Sequence, residues 1–215
     1  SDDSLVEGNE TFTVKLTVPT GATLGSPSTA TVTIADNDST PTPTPTPTPS
    51  PTPAAVQLSN ISGRTFVEFD AKSGICGFII TGGTGKQIIV RGIGPSLAGA
   101  TPPVSDALQN PMIELHDGTG SLIFTNLNWR DTQETAIEAS HLAPTDDREA
   151  AVIATLQPGA YTAIVRGEGG TTGVGLVEVY ELDSGQGQLA NVSVRGDVLT
   201  GEDVLINGVI LTGGT

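Results

Sequence analysis

The chain has 215 residues, with 27 glycines, 15 prolines, 15% charged residues and a formal net charge of −15. That length holds one or two domains with a real core, and abundant Gly, Pro, Val, Ile and Thr favour an all-β protein with many turns. An acidic surface repels phosphate backbones and anionic lipid, which argues against nucleic-acid partners, and no apolar run approaches the roughly 20 residues of a membrane helix, which argues against membrane insertion.

Residues 1–39 predict two strands. Glu10-Thr11-Phe12-Thr13-Val14-Lys15-Leu16-Thr17-Val18 alternates, with Phe12, Val14, Leu16 and Val18 on one face. Ala30-Thr31-Val32-Thr33-Ile34 repeats the pattern, and Pro19-Thr20-Gly21-Ala22 and Gly25-Ser26-Pro27 supply turns. Two strands with one apolar face are marginal alone in water, so this segment is expected to take strands from elsewhere.

Residues 40–53 alternate Thr and Pro, with Ser50 the one substitution. Proline at every second position fixes φ and removes amide donors, so neither helix nor ladder forms. At about 3.1 Å per residue such a tract spans roughly 40 Å as a semi-rigid spacer. Its hydroxyls at Thr40, Thr42, Thr44, Thr46, Thr48, Ser50 and Thr52 are candidate O-glycosylation sites in an extracellular setting.

Residues 54–188 form the main module. Strands are predicted at 55–62, 74–81, 86–92, 112–117, 121–125, 151–156, 160–167 and 173–182, and a helix at 132–140, where Glu134 sits in the first turn. Eight strands and one short helix predict an immunoglobulin-like or jelly-roll β-sandwich, with the Thr-Pro linker joining it to the first segment.

The module then begins again. Residues 58–84 and 189–215 align at one offset (189 − 58 = 131), with 12 identities over 27 positions. Leu58-Ser59-Asn60-Ile61-Ser62-Gly63-Arg64 recurs as Leu189-Ala190-Asn191-Val192-Ser193-Val194-Arg195, and Gly77-Phe78-Ile79-Ile80-Thr81 as Gly208-Val209-Ile210-Leu211-Thr212. A strand pair from an incomplete copy offers unpaired edges and half an apolar face. Val204, Ile206, Val209 and Leu211 are therefore candidate assembly residues, expected to complete a neighbouring copy's sandwich.

Two resemblances bear on the first segment and the module. Glu7-Gly8-Asn9-Glu10-Thr11-Phe12 together with Ile34-Ala35-Asp36-Asn37-Asp38 resembles the C-terminal half of a Calx-beta domain, an immunoglobulin-like sandwich. Some members of that family bind Ca²⁺ through clustered carboxylates at one end. The resemblance implies Asp2, Asp3, Glu7, Asp36 and Asp38 as the matching positions, and Ca²⁺ favours such oxygen-rich loops. The stretch from Ile113-Glu114-Leu115-His116-Asp117-Gly118 to Leu156-Gln157-Pro158-Gly159-Ala160-Tyr161 is similar to bacterial pre-peptidase C-terminal domains. Residues 58–188, with Arg91-Gly92-Ile93-Gly94-Pro95-Ser96-Leu97 and Gly175-Leu176-Val177-Glu178-Val179-Tyr180, also resemble a tandem module of uncharacterised secreted bacterial proteins. Both imply export to the medium or the bacterial cell surface, with any export signal removed or outside these residues.

Catalysis finds little support. His116 and His141 stand far apart, Gly94-Pro95-Ser96-Leu97-Ala98 is not a nucleophile elbow, and Gly92-Ile93-Gly94 lacks the third glycine of a nucleotide fingerprint. Cys76, the one cysteine, reads as a small strand residue, and Trp129, the one tryptophan, as a core anchor. The expected function is a non-enzymatic structural subunit of an extracellular fibre, joined head to tail to copies of itself. The alternatives are an adhesin or ligand-binding sandwich, glycans among its ligands, and a non-catalytic appendage of a secreted enzyme.

Overall fold

The computed structural model describes residues 5–18, 20–40, 55–68, 72–185, 187–201 and 203–214. The chain divides into two compact units, Ser1–Pro51 and Thr52–Thr215.

In the first unit β1 (Glu10–Lys15) and β2 (Thr29–Ile34) form an antiparallel pair, Phe12 facing Val32 and Val14 facing Ala30. The alternation seen in the sequence is present, but the apolar side chains of both strands lie open to solvent, Phe12, Val14, Val32 and Ile34 among them.

The second unit is a two-layer antiparallel β-sandwich. Its strands are β3 (Gln57–Val67), β4 (Gly74–Thr81), β5 (Lys86–Ile93), β6 (Pro111–Asp117), β7 (Leu122–Asn126), β8 (Ala150–Leu156), β9 (Gly159–Gly167), β10 (Gly173–Glu181), β11 (Gln188–Arg195) and β12 (Ile206–Thr212), with one helix, α1 (Glu134–Ala139), between β7 and β8. One layer runs β12-β3-β10-β5-β8 and the other β7-β6-β9-β4-β11. A single pairing, Leu189 with Leu58, links the layers along one side and nearly closes the sandwich.

The core lies between the layers and follows the period-two alternation of the strands. Ile61, Ile88, Val90, Val152, Val177 and Val179 come from one layer. Cys76, Phe78, Ile80, Ile113, Leu115 and Val165 come from the other. Strand β5 is apolar on both faces. Ile88 and Val90 point to this core, while Ile89 packs under Trp129 and Ile137 in a second layer outside the sheet. Trp129 is buried, donates from Nε1 to the Asp146 carbonyl at 3.3 Å, and carries the Arg130 guanidinium 4.0 Å above its ring. It acts as the anchor expected from the sequence.

All eight predicted module strands are present, seven with ends within one residue of prediction, while β3 runs five residues further, to Val67. After Gly94, Pro95–Gly99 forms a 3₁₀ turn that the sequence did not predict. The buried Glu149 holds it by accepting from Gly94 N (3.0 Å), Ser96 N (3.0 Å) and Ser96 Oγ (2.6 Å). That hydroxyl is therefore committed to a structural carboxylate.

Candidate assembly interface

The repeat strands do not stand apart as a separate element. They lie in the same compact unit as the module, β12 along β3 and β11 along β4. Strands β3 and β4 are consecutive, with Glu68 N donating to the Lys72 carbonyl at 3.0 Å between their ends, and they lie in opposite layers. They make a fork, and residues 188–212 run as an arm along both prongs.

Outside their irregular stretches the two pairings share one register. Arg64 faces Ile206, and Arg195 faces Ile75. Gly63 faces Asn207, and Val194 faces Cys76. Ser62 faces Gly208, and Ser193 faces Gly77. Leu58 faces Leu211, and Leu189 faces Ile80; Gln57 faces Thr212, and Gln188 faces Thr81. Each pair becomes its counterpart when 131 is added to one member and subtracted from the other (64 + 131 = 195; 206 − 131 = 75). Both ladders carry one irregularity, between Ile210 and Leu211 in one and between Ala190 and Ser193 in the other. Asn191, in the second, takes a positive φ of 59°.

The glycine–serine pairs show how close the fit is. A Cβ on Gly208 would come within 2.7 Å of Ser62 Oγ, and a Cβ on Gly77 would overlap Ser193 Oγ. Each glycine leaves room for a serine side chain on the facing strand, in both ladders.

Polar contacts fix the arm at three places. Lys86, fully buried, brings Nζ to 3.2 Å from Glu181 Oε2 and 3.1 Å from Asp183 Oδ1, and donates to the Asp183 carbonyl at 2.6 Å. Glu181 turns its other oxygen to Leu189 N at 2.7 Å, so the buried ion pair also fixes the start of β11. At the turn end, Thr65 Oγ1 donates to the Asp197 carbonyl at 3.0 Å, beside the Phe66–Asp197 bridge. Along β12, Ser59 Oγ donates to the Ile210 carbonyl at 3.2 Å.

Burial differs between the two strands of the arm. Leu189 of β11 belongs to the core, with Val192 and Val194 packed against it. The candidate assembly residues lie further out: Val204 is half-buried before β12, and Ile206, Val209 and Leu211 stay exposed at 44%, 50% and 61%. Strand β12 is thus held by its backbone ladder and keeps an open apolar surface. Missing from the sequence-level site were the acceptor residues, among them Ser62, Gly63, Cys76 and Gly77. The repeat was the signal that could have found them, since equal sequences can exchange partners.

Cys76 is buried, and desolvation pushes its thiol up to about 12, far from a reactive thiolate. Asn60 is also buried, its Nδ2 donating to the Val179 carbonyl at 3.2 Å. The Asp117 carboxylate accepts from Thr119 N, Thr119 Oγ1 and Ser121 N within its own turn.

Of the carboxylates implied for Ca²⁺, Asp2 and Asp3 lie outside the described residues. The backbone amides of Glu7 and Asp38 meet the Asp36 carboxylate: Asp36 Oδ2 accepts from Glu7 N and Gly8 N and Oδ1 from Asp38 N, each at 2.9 Å. These amide donors hold the Asp36 carboxyl below its ordinary range. Among the described residues no group of three or more His, Cys, Asp or Glu side chains is placed to hold a metal ion. Of the candidate glycosylation sites only Thr40 lies within the described residues, and it is exposed; Thr42, Thr44, Thr46, Thr48, Ser50 and Thr52 lie outside them. No described helix is long and apolar enough to cross a membrane.

The chain matches no protein-family model and no curated protein sequence.

Proposed function

We propose that the chain is a structural subunit of an extracellular or cell-surface fibre, in which copies associate head to tail by exchanging the β11–β12 arm. The observation that carries this reading is the reciprocal register at the fork. An arm that pairs with β3 and β4 of its own chain meets identical partners on any other copy, so the exchange creates no new contact and breaks none. A donor arm on one face and an acceptor fork on the same module make a heterologous contact, which propagates as a filament where its rotation does not close a ring. The Thr-Pro tract would act as spacer and the export setting as location.

Size-exclusion chromatography with light scattering, followed by electron microscopy, tests this over a concentration series. Arm exchange gives oligomers that lengthen with concentration; a chain that stays monomeric at every concentration, after incubation near its unfolding midpoint to speed exchange, contradicts it.

A further inference from the structure

We infer that the fork is a zipper with two closed states: the filled state seen here, and a state in which β3 and β4 pair with each other once the arm withdraws. The register carries the inference. Strand β12 is the repeat equivalent of β4, so the residues of β3 that hold β12 would hold β4 at positions shifted by the repeat offset (206 − 131 = 75). That places Arg64 opposite Ile75, Gly63 opposite Cys76 and Ser62 opposite Gly77, an antiparallel hairpin.

Three further observations fit. Glu68 N already donates to the Lys72 carbonyl between the ends of β3 and β4, one residue out of the zipped register (68 + 72 = 140; 64 + 75 = 139), so zipping starts beside a bonded end and needs one bulge there. Ser62 faces a residue without a Cβ in both states, Gly208 in the filled one and Gly77 in the zipped one. The arm is also unequally held: β12 is exposed along its length and leaves first, whereas Leu189 anchors β11 in the core. Closure removes the open edges that an empty fork would present, a hazard sheets otherwise guard against. Resting on the assembly reading, it gives that site its regulation: an empty acceptor is shut, and exchange waits on unzipping.

The test uses the full chain with Arg64→Cys, Ile75→Cys and Cys76→Ala. Facing positions of an antiparallel pair lie within reach of a disulfide. In a mild thiol redox buffer the 64–75 disulfide is expected to accumulate as the zipped state is visited. Adding Gly208→Leu, which sets a side chain against Ser62, is expected to speed it by about tenfold or more. A Gly208→Leu chain that stays folded by circular dichroism yet forms no 64–75 disulfide overturns the inference. Should that variant not fold, the parent triple variant decides: no 64–75 disulfide in denaturant just below the unfolding midpoint overturns it equally. Sedimentation of the same samples separates the two ideas, because a 64–75 disulfide in monomeric protein supports the zipper whether or not fibres form.

Discussion

Val194 of β11 lies directly opposite Cys76 of β4, the one cysteine of the chain. Placing a second thiol there turns the pairing into a covalent report. Val194→Cys is expected to oxidise to an intrachain disulfide that shifts the unfolding midpoint upward, by about 2–4 kcal/mol at best. Chemical denaturation with and without reductant measures it, and equal midpoints would place β11 elsewhere.

The two facing glycines should differ in consequence. Gly77 faces its serine in the better-buried ladder, whereas Gly208 sits on the exposed strand. Gly77→Ala is expected to cost about 1–3 kcal/mol of global stability through forced displacement. Gly208→Ala should leave the global transition near its place while amides of β12 lose exchange protection. Hydrogen exchange resolves the two, and similar global losses for both would deny the local detachment of β12.

Lys86 and Glu181 form a buried ion pair at 3.2 Å that also positions Leu189. Removing one member leaves the other charged and buried, so Lys86→Ala is expected to destabilise by about 3–5 kcal/mol. Replacing both, as Lys86→Met with Glu181→Gln, should recover much of the loss. A double-mutant cycle by urea unfolding checks the pair, with exchange rates at Leu189 reporting on the arm.

Asp36 gives the first unit an acid-sensitive turn. Its folded carboxyl titrates below the ordinary value because amide donors favour the anion, those of Gly8 and Asp38 most. A lowered folded value means the contribution is complete above the unfolded value, near pH 4, and is lost as pH falls through the folded one. Amide shifts of Glu7, Gly8 and Asp38 should therefore move together below about pH 4. Asp36→Ala should abolish that shared transition; its persistence would assign it to another group.

The strands of the module were legible because alternation sets which side chains face the core, and Ile61, Val177 and Val179 obey it. Strand β5 is apolar on both faces, but the residues that cover its outer face, Trp129 and Ile137, lie far along the chain and its own pattern does not name them. The 3₁₀ turn after Gly94 was hidden because the carboxylate that holds it, Glu149, lies far along the chain. The arm's sequence was visible but its placement was not. Periodicity names the faces of a strand and is silent about its hydrogen-bonding neighbours, and here two equivalent neighbours exist for each prong. The resemblance named Glu7, Asp36 and Asp38, while the backbone bonds that the Asp36 carboxylate accepts depend on loop geometry that the residues alone do not show.

Arm exchange between copies is tested most directly by mixing two chains, each with one thiol. One is the native chain, carrying Cys76; the other carries Val194→Cys with Cys76→Ala. Neither can form the 76–194 disulfide alone, so that bond arises only when β11 of one chain lies along β4 of another. Strand exchange predicts a mixed covalent dimer whose yield rises with concentration and with incubation near the unfolding midpoint. Oxidised mixtures that yield no 76–194 disulfide, under conditions where Val194→Cys alone closes its intrachain bond, would contradict it.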